Sequence, residues 1–180
     1  ERYAHQNRNQ MDRHHRTALR IADTSYFSFG IRSKADVTMD GLGSQLLSIK
    51  DLSTNILSSF FENIIQSKSK GFVAAPQVLK HQTVSLIFLE PSTRTRVSFE
   101  IAAQKLGGQT VLIQKEGTSL EKGESILDTF QTLHAMGSNY FVYRASDSSI
   151  HEVAKHFGNK IVLINAGDGV NEHPTQALID

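Results

Sequence analysis

The chain has 180 residues, 39% hydrophobic and 21% charged, with a formal net charge of +1. That length can bury a real core as one large domain with an appendage, and the balanced charge gives no mark of a nucleic-acid partner. Cysteine is absent, which excludes disulfides, thiolate metal sites and cysteine nucleophiles, and apolar runs such as residues 84–89 are far too short to cross a membrane.

Residues 1–42 read differently from the rest. They hold Arg2, Arg8, Arg13, Arg16, Arg20, Arg32 and Lys34, with His5, His14 and His15 and interspersed acidic residues. This reads as an N-terminal extension with a weak helix over 11–21 and Tyr26, Phe27 and Phe29 as an anchor, rather than as a nucleic-acid or metal site. From Leu46 the pattern is regular. Ile56, Phe60 and Ile64 recur at helical spacing between residues 51 and 67, with Ser53 or Asp51 to cap the helix. Residues 71–80 form a linker broken by Pro76. A buried strand is expected at 84–89, a helix at about 95–106 with Phe99, Ala103 and Leu106 on one side, and Gly107–Gly108 as its stop. A strand at 110–113, a polar loop at 114–122 and a helix at 124–136 follow. A third strand at 140–143 precedes a helix at 149–157, a fourth strand at 160–164 and a glycine-containing loop at 165–172. His173-Pro174 then opens a last helix, with proline in its first turn.

Strand and helix alternate from Val84 onward. Short strands rich in valine and isoleucine predict an α/β fold, a parallel sheet flanked by helices on both faces. Ligands of such sheets sit at the carboxyl ends of the strands. That rule selects residues 90–96, 114–122, Arg144 and 165–176, where the strong polar residues also cluster. No signal peptide pattern opens the chain, and an intracellular, cytoplasmic setting fits. The chain begins at Glu1 and ends at Asp180 inside a helical segment, which reads as a fragment.

The first strand runs directly into Pro91-Ser92-Thr93-Arg94-Thr95-Arg96. The first N–H groups of the following helix are unpaired and point outward, as an anion requires. Ser92, Thr93 and Thr95 add hydroxyls, and Arg94 adds a planar fork of donors suited to phosphate. The plainer reading is a capped helix with surface arginines. Arg144 alone reads as a surface arginine in an ion pair; beside the Ser92 segment it becomes a second anion clamp. His173 and Gln176 are three apart and can share one side of a helix start; the plainer reading of His173 is a cap. His134, His151 and His156 lack partners at metal-ligand spacing and read as structural or solvent-facing. No zinc or carboxylate-cage motif is present, and the reading needs neither metal nor cofactor.

The run STRTRVSFE at 92–100 resembles the carbamoyl phosphate signature of the aspartate and ornithine carbamoyltransferases. HPTQALID at 173–180 is similar to the second signature of that family, and KGESILDT at 122–129 to its mobile loop and following helix. The resemblance covers residues 46–180 and leaves out 1–42, so the expected division is an extension at 1–42 and a carbamoyl phosphate-binding domain at 43–180, cut before an aspartate-binding domain. Glu90, where the ornithine enzymes tend to have lysine, and Thr175, where they typically have cysteine, favour the aspartate branch. The ornithine branch and a noncatalytic phosphate-binding or interaction domain stand as alternatives.

The resemblance implies roles residue by residue. Ser92, Arg94 and Thr95 hold the phosphate, with Thr93 also in the cradle. Thr95, Arg144 and His173 contact the carbamoyl oxygen, and Gln176 holds the carbamoyl NH2. Ser119 and Lys122 correspond to loop residues that the family inserts into a neighbouring subunit's site; the loop here is one residue shorter than in some relatives, which leaves Ser119 less firmly aligned than Lys122. The implied reaction transfers the carbamoyl group of carbamoyl phosphate to L-aspartate in de novo pyrimidine biosynthesis. The implied assembly is a homotrimer or a multiple of trimers, with regulatory or other pyrimidine-pathway chains left open as partners and no nucleic acid or membrane.

Overall fold

A computed structural model describes residues 45–69, 77–117 and 119–178. The expected extension at 1–42, with its helix and aromatic anchor, and the linker around Pro76 lie outside the described residues. The strands are β1 (Gln45–Leu46), β2 (Thr83–Phe88), β3 (Gln109–Gln114), β4 (Tyr140–Ala145) and β5 (Val162–Asp168). The helices are α1 (Thr54–Ser69), α2 (Thr93–Lys105), α3 (Ile126–Ala135), α4 (Ser149–Phe157) and the single-turn α5 (Pro174–Ala177). All strand pairs are parallel, and the sheet order is β1-β5-β4-β2-β3.

Alternation along β2 divides the core between two faces. Val84, Leu86 and Phe88 point to one side, where they meet Phe60 of α1 and Phe99, Ala103 and Leu106 at α2. Ile87 points to the other side, into the cluster of Phe130 from α3, Phe141 and Tyr143 from β4, and Ile150, Val153 and Phe157 from α4. Helices therefore cover both faces, as the alternation of elements requires. Phe130 is fully buried and packs against Phe141, with ring centroids 4.8 Å apart, and edge-on to Tyr143 at 5.4 Å. Burying a ring of that size contributes about 1.5–3 kcal/mol. Ser85 is the polar residue in the middle of β2; it is buried, and its hydroxyl donates to Ser138 Oγ at 2.8 Å, so it carries no unpaired group into the core.

Several expected boundaries are corrected. β1 was not expected; it pairs with β5 at Gln45↔Leu163 and Leu46↔Ile164 and extends the sheet by one short strand. Residues 158–160 form a 3-10 turn, so β5 starts at Val162 rather than at 160. β5 also runs on through Asn165 to Asp168, a stretch expected to be loop. It can, because the buried Asn165 finds partners for both ends of its amide: Nδ2 donates to the Leu47 carbonyl at 2.9 Å, and Oδ1 accepts from the Gly167 N–H at 2.8 Å. α2 begins at Thr93, two residues earlier than expected, and α3 begins at Ile126 because Ser125 is its cap. The cap of α1 is Ser53, whose hydroxyl accepts from Ile56 N–H at 3.4 Å; Asp51 belongs to a preceding 3-10 turn, Ile49–Asp51. The polar segment after β3 holds another 3-10 turn, Ser119–Lys122.

The winding reverses at β2. From β2 the chain moves to β3 on one side, then returns to place β4 on the other. The carboxyl ends of β2 and β4 thus bound the crevice in which open parallel sheets bind ligands.

Candidate functional site

Four residues separate the end of β2 from the start of α2. Ser92 is its N-cap, half-buried, and its side chain makes no capping bond. The Arg96 N–H donates to the Ser92 carbonyl at 3.1 Å, so the amides of Thr93, Arg94 and Thr95 precede the helical ladder and face out of the first turn. Thr93 and Arg94 are exposed, and Thr95 is half-buried. Arg96 turns back along the helix to Glu100, at 3.6 Å, in an i,i+4 ion pair. The two arginines of the motif therefore differ: Arg96 is engaged along its own helix, whereas Arg94 is exposed at the helix start.

Arg144 lies at the end of β4, opposite Phe88 of β2. Its carbonyl accepts from the Leu89 N–H at 2.8 Å, which ties the turn after β2 to β4. Its guanidinium reaches across β5, with Nη1 donating to the Ala166 carbonyl at 2.9 Å. Its Nε lies 3.5 Å from Glu90 Oε2 but is buried without a hydrogen bond. Buried donors are seldom left so. Glu90 stands two residues before Ser92, so this ion pair ties Arg144 to the turn that leads into α2. The ion-pair reading of Arg144 is met, and the pair lies at the carboxyl ends of β2 and β4, where the clamp reading needs the guanidinium.

His173 comes to the same place from β5. A Cβ at Gly167 would lie 2.6 Å from Arg144 Nη1 and 3.5 Å from His173 Cδ2, so the missing side chain is the space in which guanidinium and imidazole approach. His173 is the N-cap of α5 through its backbone: its carbonyl accepts from Gln176 N–H at 2.9 Å and Ala177 N–H at 3.1 Å, while its ring Nδ1 lies 3.2 Å from Thr175 Oγ1. Gln176 is half-buried on that same turn. Tyr143, next to Arg144 in sequence, faces the opposite way into the Phe130 cluster. Burial pushes its phenol up to about 12, so it stays neutral and is no acid or base near neutral pH.

The structure thus brings Ser92, Thr93, Arg94, Thr95, Arg144, His173 and Gln176 to the carboxyl ends of β2, β4 and β5. Ser119 and Lys122 belong to the end of a different strand, β3. Their 3-10 turn follows β3, the outer strand of the sheet, and is bounded by Gly117 and Gly123, at φ 73° and 93°. His134, His151 and His156 have ordinary structural surroundings: a Ser138 carbonyl, the Asp168 carboxylate and the Gln131 amide. Sequence reasoning missed Asn165, Asp168 and Glu172, which build the loop carrying His173. They fall in the 165–176 stretch that the strand-end rule selects, but nothing in the sequence tells which of its polar residues build the turn and which meet a ligand.

The aspartate/ornithine carbamoyltransferase carbamoyl-P binding domain matches residues 44–180. The chain belongs to this family. It is 41% identical over 138 residues to the aspartate carbamoyltransferase catalytic subunit of Roseiflexus castenholzii, covering 75% of this chain and 43% of that one. It is 50% identical over 103 residues to the corresponding subunit of Chloroflexus aurantiacus, covering 57% of this chain and 33% of that one. Among solved structures, aspartate transcarbamoylase from Trypanosoma cruzi in complex with carbamoyl aspartate and phosphate superposes with a TM-score of 0.67 at 29% identity, covering 82% of this chain and 47% of that one. Ornithine carbamoyltransferase from Thermus thermophilus superposes with a TM-score of 0.66 at 25% identity, covering 76% and 46%. The chain spans less than half the length of these relatives. Among the described residues, no helix is long and apolar enough to cross a membrane.

Proposed function

We propose that residues 43–180 bind carbamoyl phosphate at the crevice between β2 and β4, and that the whole protein transfers its carbamoyl group to L-aspartate in pyrimidine biosynthesis in the cytoplasm. The observation that carries this reading is the meeting of Arg144 with Glu90, in the turn that leads into α2, on one side and with His173 on the other. The phosphate takes the exposed amides of the α2 first turn, the hydroxyls of Ser92, Thr93 and Thr95, and the guanidinium of Arg94. The carbonyl oxygen takes donors from Thr95, Arg144 and His173, and the carbamoyl NH2 donates to Gln176. The aspartate amine attacks the carbonyl carbon and the bond to the phosphate oxygen breaks. Charge developing on the carbonyl oxygen is met by donors already in place. The phosphate takes up the amine proton as it leaves and departs as the hydrogen phosphate dianion, so positioning and fixed charge supply most of the rate.

The remaining parts of the reading are a trimer, or a multiple of trimers, in which the turn at Ser119 and Lys122 completes the site of a neighbouring subunit. Glu90 and Thr175 favour aspartate as the acceptor, as do the aspartate carbamoyltransferase relatives at 41% and 50% identity. The Thermus structure shows that an ornithine enzyme shares this fold equally well, so the acceptor is decided by assay. The full-length protein is expected to carbamoylate aspartate and not ornithine; preferential use of ornithine rejects the aspartate reading. Titration calorimetry with carbamoyl phosphate tests the half-site. Loss of a charge-assisted pair in Arg94→Ala is expected to weaken binding about 10- to 100-fold, and equal binding by both proteins removes Arg94 from the site.

A further inference from the structure

We propose that Glu172 is a positioning residue: its carboxylate, gripped by Ile49 and Lys50, fixes the entry to α5 and so sets His173 against Arg144. The inference rests on the reading that His173 meets the carbamoyl group. Glu172 Oε2 accepts from the Ile49 N–H at 3.1 Å, across 123 residues of sequence, and Oε1 lies 3.5 Å from Lys50 Nζ. The neighbouring Ser48 hydroxyl, then the Ile49 N–H and Lys50, hold the Glu172 carboxyl below the usual carboxylate range. Lys50 is largely exposed and adds little; the weight falls on the Ile49 N–H.

The backbone of Glu172 is fixed as well. Its N–H donates to Asp168 Oδ1 at 2.7 Å, and its carbonyl accepts from the Asp168 N–H at 3.2 Å. At the other end of the loop, Asn165 Nδ2 donates to the Leu47 carbonyl. The short segment 47–50 therefore grips the 165–172 loop at both ends. The next residue is His173, whose carbonyl opens α5 and whose ring stands beside the Cβ-free Gly167 and the Arg144 guanidinium. A displacement at 172 passes directly to His173 and, through its carbonyl, to Gln176. Reactive geometry tolerates little of it, since a misplacement of about 1 Å is worth some 10²-fold in rate.

Labelled-histidine NMR on the chain reads the effect without ligand. In Glu172→Ala the His173 ring signals are expected to shift, and the Gln176 and Ala177 amides to exchange about tenfold faster or more. Glu172→Gln keeps an acceptor for the Ile49 N–H and is expected to restore both. Binding supplies the second readout: Glu172→Ala is expected to lose about tenfold of any preference for carbamoyl phosphate over inorganic phosphate, with phosphate affinity unchanged. Wild-type-like His173 signals and amide exchange in a folded Glu172→Ala chain overturn the proposal, and so does a Glu172→Gln variant as perturbed as alanine. If alanine fails to fold, Glu172→Asp, too short to reach Ile49, decides on the same readouts. Absence of the preference in the wild-type chain defeats the reading of the site, while the ring signals and amide exchange still decide the clamp.

Discussion

Gly167 stands at φ +123°, a backbone region that L side chains rarely adopt, with Arg144 Nη1 only 2.6 Å from the position of an added Cβ. Gly167→Ala therefore forces one of two changes. The strand end twists, at a cost of order 1–3 kcal/mol for a non-glycine residue in such a conformation, or the guanidinium leaves the Ala166 carbonyl. Either change separates Arg144 from His173. Carbamoyl phosphate binding is expected to weaken about tenfold or more, with a lowered Tm; calorimetry and thermal denaturation check the two effects. Affinity equal to wild type in a folded variant places Arg144 outside the ligand site. Arg144 itself was legible in the sequence because it directly follows an apolar strand. Gly167 was not, because a glycine in a polar run looks like a loop residue until the partner on the neighbouring strand is known.

At the scale of elements, what was legible depended on how local the determining interactions are. α3 begins where Ser125 accepts the Asp128 N–H at 3.1 Å and donates to Asp128 Oδ2 at 2.7 Å, a reciprocal cap spelled by two residues three apart. Ser125→Ala is expected to destabilise the chain by about 1 kcal/mol. Denaturant unfolding measures this as a lower midpoint at unchanged slope, and an unchanged midpoint shows that the cap is not needed. β1 depends on no such local signal. Two residues have no period to read, and Gln45 holds its place through distant groups, with Nε2 donating to the carbonyls of Ala154 and Gly158. The same holds for the end of β5, where Asn165 and Asp168 look solvated by composition and are buried because Leu47, Gly167 and Glu172 supply their partners. The clamp on Glu172 joins residues that are 123 apart in sequence, beyond the reach of any windowed pattern.

For the whole molecule, the two-faced sheet was readable from alternation alone, whereas the expectation that subunits share sites came chiefly through the resemblance. Lys122 ends a 3-10 turn between Gly117 and Gly123, beyond the edge strand β3, while Arg94 lies in the first turn of α2 at the inner crevice. If Lys122 completes the site of a neighbouring subunit, the two residues of one site come from two chains. Lys122→Ala and Arg94→Ala proteins are each expected to be inactive at full length. In a mixed ring of three subunits, one interface pairs the intact Arg94 of the first parent with the intact Lys122 of the second. About one site in three is then whole, whichever parent is in excess. Mixing the two inactive proteins should accordingly restore up to roughly a third of wild-type activity per mixed trimer. Were each subunit to use its own Lys122, every site would keep one defect and mixing would restore nothing. Mixed trimers verified by mass and still inactive reject the shared site.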